Sequence, residues 1–299
     1  MSRDLRIPSP GRQLGYYFLF LAAGLLVANL VVGMILLAPL KPGTAHDAND
    51  LLNSTSIEVL KILQSFASLV TFLIPAWLFA RYVFPERPFH YLGFRAVSKN
   101  SFYVLAVAAL LLSFPLDGWL GQLNRGIALP AWMIDREKEA DRQIIAFLKT
   151  NSTMGVLVNI FVIALLPAIC EEASFRGALQ PILIRIFKSP WAGIVVTAIF
   201  FSAFHMQFQG FLTRMLLGLL LGAIYWYSGS LLVSIAAHFF TNAIQVIIVA
   251  YYPRFVTEDP TVPFYLAMIS LIIVAALLAV MRHQSKTKYP EDSYAKEFQ

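Results

Sequence analysis

Apolar residues in this chain gather into eight long runs, at about 14–38, 57–80, 101–121, 155–187, 190–208, 211–227, 230–250 and 263–281. A helix needs roughly 20 apolar residues, at 1.5 Å each, to cross a bilayer. The pattern therefore predicts an all-α fold, a polytopic membrane helix bundle of about eight transmembrane helices. The fourth run is long enough to project beyond the bilayer or to bend at Pro167, and Pro75 and Pro115 mark kinks in two others. Between the third and fourth runs, segment 122–150 mixes charges with Ile144, Ile145, Phe147 and Leu148 near its end. It reads as an interfacial amphipathic helix. No internal repeat or low-complexity tract breaks the pattern.

Composition agrees with this reading. The 299 residues are 58% hydrophobic and 13% charged, against about 25% charged in a soluble domain, and mean hydropathy is +0.68. Cys170 is the single cysteine, which excludes an internal disulfide framework and a cysteine-rich zinc site.

The net charge of +6 lies mainly in flanks and loops, so it reports membrane topology and not nucleic-acid binding. Arg3, Arg6 and Arg12 precede a first run too long for a signal-peptide core, and no small-residue cleavage site follows it. The 39–56 loop is acidic (Asp47, Asp50) and the 81–100 loop basic (Arg81, Arg87, Arg95, Lys99). The turn near Arg185 and Lys188 is basic, the 251–262 loop slightly acidic, and the tail after Arg282 basic. Positive loops face the cytoplasm. The threading that satisfies them is a multi-pass protein of the cell membrane with both termini cytoplasmic and segment 122–150 on the outer face. Three regions follow: N-terminal helices with the interfacial segment (1–150), a core (151–250), and the last helix with its tail (251–299).

The core carries the chemistry. Between Gly155 and Ile184 the only charged residues are Glu171, Glu172 and Arg176. A carboxylate at bilayer depth costs about 2.5–3.5 kcal/mol on insertion scales, so it needs a partner or a task. Glu172 and Arg176 stand four apart on one helix face, which fits an ion pair and leaves Glu171 about 100° away round the helix. His205 follows on the next run, then His238 and Asn242, again four apart on one face. Glu171 and His205 each lie about 17 residues, or roughly 25 Å, from the turn at Lys188 to Pro190, so an antiparallel hairpin brings them level. His238 is only about 12 Å beyond Ser230, so the 188–190 hairpin is expected to protrude by roughly 10 Å.

Two carboxylates, two imidazoles and an amide support two chemistries. A carboxylate and an imidazole flanking one water act as general base, while a second imidazole and an amide donate to an oxyanion. Those are the parts of a peptide-bond hydrolase. Alternatively Glu171, His205 and His238 ligate a divalent metal, zinc, with a fourth position open. The HExxH pattern of soluble zincins is absent. Asn242 beside His238 suits an oxyanion hole better than a coordination sphere, which favours no cofactor over zinc. A transporter with an ionisable relay uses similar residues, although no pair of matching discontinuous segments is present. A non-catalytic binding scaffold would keep the fold without turnover. Arg214 reads as a snorkelling residue at the outer end of the sixth run, and Asp117 and Gln245 as capping or interhelical hydrogen-bonding residues.

Glu171-Glu172-x-x-x-Arg176, Phe201-x-x-x-His205 and His238-x-x-x-Asn242, in this order and with Gly177 after the arginine, resemble the signature motifs of a known family. This is the CAAX prenyl protease and bacteriocin-processing family of intramembrane proteases, which includes the type II CAAX endopeptidases. The resemblance covers about residues 150–250. It implies that Glu171 and His205 activate water, that His238 and Asn242 stabilise the oxyanion, and that Glu172 and Arg176 support the site. It also implies a peptide or protein substrate within the lipid bilayer; bacteriocin immunity without catalysis is the alternative role. Family members are commonly described as metalloproteases. Many relatives carry two large apolar residues where this chain has Ala173 and Ser174, a departure that bears on packing and substrate fit.

Overall fold

The computed structural model describes residues 9–38, 55–150, 152–252 and 261–286. Ten helices run in chain order among the described residues, with no strand: α1 Pro10–Leu37, α2 Ile57–Val83, α3 Pro88–Tyr91, α4 Ser101–Arg125, α5 Ala131–Leu148, α6 Thr153–Phe187, α7 Pro190–Phe204, α8 Phe211–Ser228, α9 Leu231–Tyr251 and α10 Phe264–Gln284. Seven are long and apolar enough to cross a membrane, and α7 is a shorter apolar eighth. The protein is thus an all-α polytopic bundle, and each predicted run corresponds to one helix. Most of the tail and the acidic stretches used for the topology (39–54 and 253–260) lie outside the described residues.

Two membrane helices, α2 and α6, contain three wide π-helical stretches between them, each just before a proline. Leu69–Leu73 precedes Pro75, Ile160–Leu165 precedes Pro167, and Glu172–Leu179 precedes Pro181. Proline has no N–H to give to the carbonyl four residues back, and its ring clashes with that carbonyl. Shifting the ladder to a five-residue step relieves the clash, as in the bonds Ile74 N–H to Leu69 O, Leu166 N–H to Phe161 O and Gln180 N–H to Phe175 O. The kinks expected at Pro75 and Pro167 take this form. At the third expected kink, Pro115, α4 is interrupted at Ser113, whose hydroxyl donates to Leu110 O at 2.7 Å.

The centre of the bundle is α6, α7 and α8. More than half of the α8 span is buried (56%), against 11% for α1 at the periphery. Close packing here needs glycine. A Cβ on Gly193 of α7 would lie 2.5–2.9 Å from Ile184 of α6, backbone included, and one on Gly218 of α8 would lie 2.9 Å from the Ala198 Cβ of α7. The α6–α7 turn is made by Lys188 in a left-handed conformation (φ 50°) and by Ser189, whose hydroxyl caps α7 through Ala192 N–H at 3.3 Å.

Two expectations change. The fifth run ends as helix at Phe204 and not at 208. Fifteen residues reach about 22 Å, short of the ~30 Å hydrocarbon core. The chain leaves the helix through Met206, which is left-handed (φ 53°). Nor does the 188–190 hairpin need to protrude. Gln180 donates to Gly222 O at 3.0 Å; Lys188 is eight residues past Gln180 and Gly229 seven past Gly222, so the two turns end nearly level. The π stretch of α6 winds more residues into each turn, which brings Glu172 nearer to its turn than α-helical rise predicts.

Candidate active site

Glu171 ends the α-helical stretch Leu166–Glu171, and Glu172 begins the π stretch that follows. Their side chains part there. Glu172 is wholly buried and fully used. Its Oε1 receives Arg176 Nη1 at 2.7 Å and His238 Nδ1 at 3.1 Å, and its Oε2 accepts from the Ser234 hydroxyl. Arg176, also wholly buried, donates through Nη2 to Gly218 O at 3.2 Å, a reach opened by the glycine packing of α8. A buried charge pair persists when its remaining lone pairs and protons find partners. Both Glu172 oxygens and both Arg176 terminal nitrogens do, and only Arg176 Nε has none among the described residues. Glu171 makes no hydrogen bond or ion pair among the described residues, and it lines a cavity of about 660 Å³.

His205, His238 and Asn242 line the same cavity. His205 caps the C-terminus of α7, and its Nδ1 lies 2.8 Å from Phe201 O. A carbonyl only accepts, so Nδ1 carries the hydrogen and Nε2 keeps a free lone pair. His238 likewise gives Nδ1–H to Glu172. Ser234, His238 and Asn242 stand at four-residue steps on one face of α9. Phe201 explains the rest of its motif. The Arg176 guanidinium sits 4.4 Å over its ring, and the His205 and His238 rings lie 5.1 and 6.1 Å from it in edge contacts. One phenylalanine thus spaces the cation from both imidazoles.

The loop after His205 is irregular backbone between two apolar helices, with only the turn bonds Met206 N–H to Ala203 O and Phe211 N–H to Phe208 O at its ends. At membrane depth irregular backbone is tolerated only where protein or a cavity covers it and side chains satisfy it. Asn124 of α4 does both jobs of an amide, donating to Phe208 O at 2.7 Å and accepting from Leu212 N–H at 2.8 Å. Glu137 of α5 accepts Gln209 N–H at 3.3 Å, Trp132 packs edge-on against Phe208, and Arg214 donates to Gln207 O. Arg214 is therefore a cavity-lining residue folded over the loop, and not a snorkelling one. Asp117 and Gln245 also line the cavity, and among the described residues the Asp117 carboxylate makes no capping or interhelical hydrogen bond. The amphipathic segment is helix α5, which covers the cavity with Ala140, Gln143, Ile144, Phe147 and Leu148.

The sequence reading missed Ser234, Asn124 and Tyr17. Ser234 lies one turn before His238 on the same face, a signal that was legible. Nothing local marks Asn124. Tyr17 of α1 shares a buried 2.9 Å hydrogen bond with Ser174, and so the small residue after the glutamate pair makes room for a phenol. Gly177 has an equally concrete cause: a Cβ there would lie 2.7 Å from Leu92 O.

All six predicted site residues belong to one construction, four on the cavity and two in the ion pair behind it. The three residues expected as metal ligands, Glu171, His205 and His238, line one cavity. No three His, Cys, Asp or Glu side chains among the described residues converge to hold an ion, and the carboxylate that reaches His238 is already held by Arg176.

Comparison with known proteins bears on this same stretch. Residues 153–244, which contain all six, match the family model described as Type II CAAX prenyl endopeptidase Rce1-like. The chain is also similar to an uncharacterised 24.3 kDa protein of Escherichia coli, 32% identical over 124 residues, or 39% of this chain and 51% of that protein. The chain thus spans about half the length of that curated relative. No solved structure matches. Helices and family match together describe a multi-pass membrane protein with an Rce1-like domain.

Proposed function

We propose that the Rce1-like domain makes this chain an intramembrane endopeptidase that hydrolyses a peptide bond in a membrane-associated or C-terminal peptide substrate. One observation carries the reading: a half-buried carboxylate without a protein partner, Glu171, shares a cavity with His205, His238 and Asn242. In this mechanism Glu171 takes a proton from a water that the free Nε2 of His205 also holds, and the oxygen attacks the substrate carbonyl. His238 and Asn242 receive the developing oxyanion. With Nδ1–H given to Glu172, His238 Nε2 donates only as an imidazolium, and the carboxylate at 3.1 Å is the counter-charge that ring requires. Glu171 then passes its proton to the leaving amine. Arg176 holds Glu172 in place and does not touch the substrate.

The step uses no metal and no other cofactor in this reading. Residues 151–250 form the catalytic core, and the protein resides in the cell membrane with both termini cytoplasmic. The test is a proteomic comparison of membranes carrying the wild-type chain or Glu171→Gln. A membrane peptide or protein whose cleavage disappears with the variant supports the proposal; identical cleavage patterns at equal expression overturn it.

A further inference from the structure

Asp117 faces the cavity from the second part of α4, one turn after the break at Ser113. Its backbone N–H bonds Ser113 O at 2.8 Å, yet its carboxylate makes no hydrogen bond or ion pair among the described residues. An ionisable group left unpaired at membrane depth is costly and marks a substrate site or pathway.

The obvious partner is held elsewhere. Arg214, across the cavity, gives Nη2 to Gln207 O and lies folded beneath Gly210, where a Cβ would come within 2.6 Å of both terminal nitrogens. Glu137, Asp117 and Asp141 all act on its charge. Among the charged residues lining the cavity, Asp117 and Glu171 therefore face a single arginine whose Nη2 is already given to Gln207 O. At the Asp117 end, three carboxylates (Asp117, Glu137 and Asp141) surround that one arginine, an excess of negative charge that favours a cationic occupant and disfavours a free carboxylate. Phe114, Val246 and Val249 line the same region, and they would take the apolar stem of a long basic side chain while its charged end reaches Asp117.

We propose that Asp117 forms a cation-selective subsite of the cavity that receives a lysine or arginine side chain of the peptide substrate. The proposal rests on the endopeptidase reading for the word substrate, but its binding test does not require turnover. The full chain carrying Glu171→Gln is placed in lipid nanodiscs with fluorescent peptides that differ at one position, lysine against norleucine, scanned along the peptide. The lysine peptide should bind more tightly at one position. Asp117→Asn in the same background should weaken it by about 30-fold or more, the low end for removing one partner of a buried charge pair, and leave the norleucine peptide unchanged. Asp117→Glu should restore the preference, and Asp117→Ser stands in should the asparagine variant fail to fold. Equal binding of both peptides, a preference that survives loss of the carboxylate, or no peptide binding overturns the subsite. The wild-type chain given the same peptides separates the two ideas. Asp117-dependent binding without cleavage overturns the endopeptidase reading alone, and cleavage indifferent to lysine overturns the subsite alone.

Discussion

His238 Nδ1 lies 3.1 Å from Glu172 Oε1, the oxygen that also receives Arg176 Nη1 at 2.7 Å. One buried carboxylate oxygen thus joins the arginine of the first motif to the histidine of the third, across α6 and α9. The consequence is a division of labour between adjacent glutamates: Glu172 orients, and Glu171 remains free to react.

Glu171→Gln is expected to abolish turnover while leaving the fold intact. The amide keeps the shape of the side chain but cannot take a proton, and Glu171 has no protein partner to lose. The check pairs cleavage of the substrate found by proteomics with thermal unfolding in detergent. Wild-type turnover by the variant would remove Glu171 from the role of base.

Arg176→Ala acts through stability. It leaves Glu172 charged in a site sealed from water, and breaking such a fully buried pair costs about 3–5 kcal/mol. Ser234→Ala removes one bond to the same carboxylate and should cost about 1.5–3 kcal/mol. Equilibrium unfolding in mixed micelles should rank the alanine at 176 as clearly the worse; an unchanged midpoint would contradict the ion-pair account.

Asn124→Ala should loosen the loop that carries His205, because Phe208 O and Leu212 N–H both lose their partner. Each buried backbone group left unsatisfied costs about 1–3 kcal/mol. Chemical modification of His205 by an acylating reagent, followed by mass spectrometry, should speed up in the variant. Unaltered reactivity, with normal folding, would show that the clamp does not position the histidine.

Metal content has a direct measurement. Elemental analysis of purified, active protein should find no stoichiometric zinc, and chelators should leave the rate unchanged. A single tightly held zinc per chain, with activity lost on removal and regained on return, would replace the metal-free mechanism.

Topology is tested by cysteine accessibility at Ser2 and Ser293. Both sites should resist an impermeant reagent applied from outside and react once the membrane is opened. Labelling of either from outside would reverse or break the eight-helix threading.

Sequence alone determined which segments span and which residues share a helix face. Runs of apolar residues set the number and order of spans, because a bilayer accepts only segments whose backbone bonds to itself. Four-residue spacing set the Glu172–Arg176 pair and the common face of His238 and Asn242, and an unpaired carboxylate in an apolar run singled out Glu171. Tertiary structure decided what lies between helices. The registry of α6 against α8 and α9, shifted by a π stretch before Pro181, brings Ser234 and His238 to Glu172. The early end of α7 makes a buried loop that recruits Asn124, Glu137 and Arg214, residues that no spacing along one helix ties to His205. Helical period fixes the direction of a side chain about its own axis, but tilt, kinks and glycine-permitted approach fix which neighbour it meets. For that reason the three motifs could be read one by one, while the cavity they share, and the open carboxylate of Asp117 across it, became visible only in the folded chain.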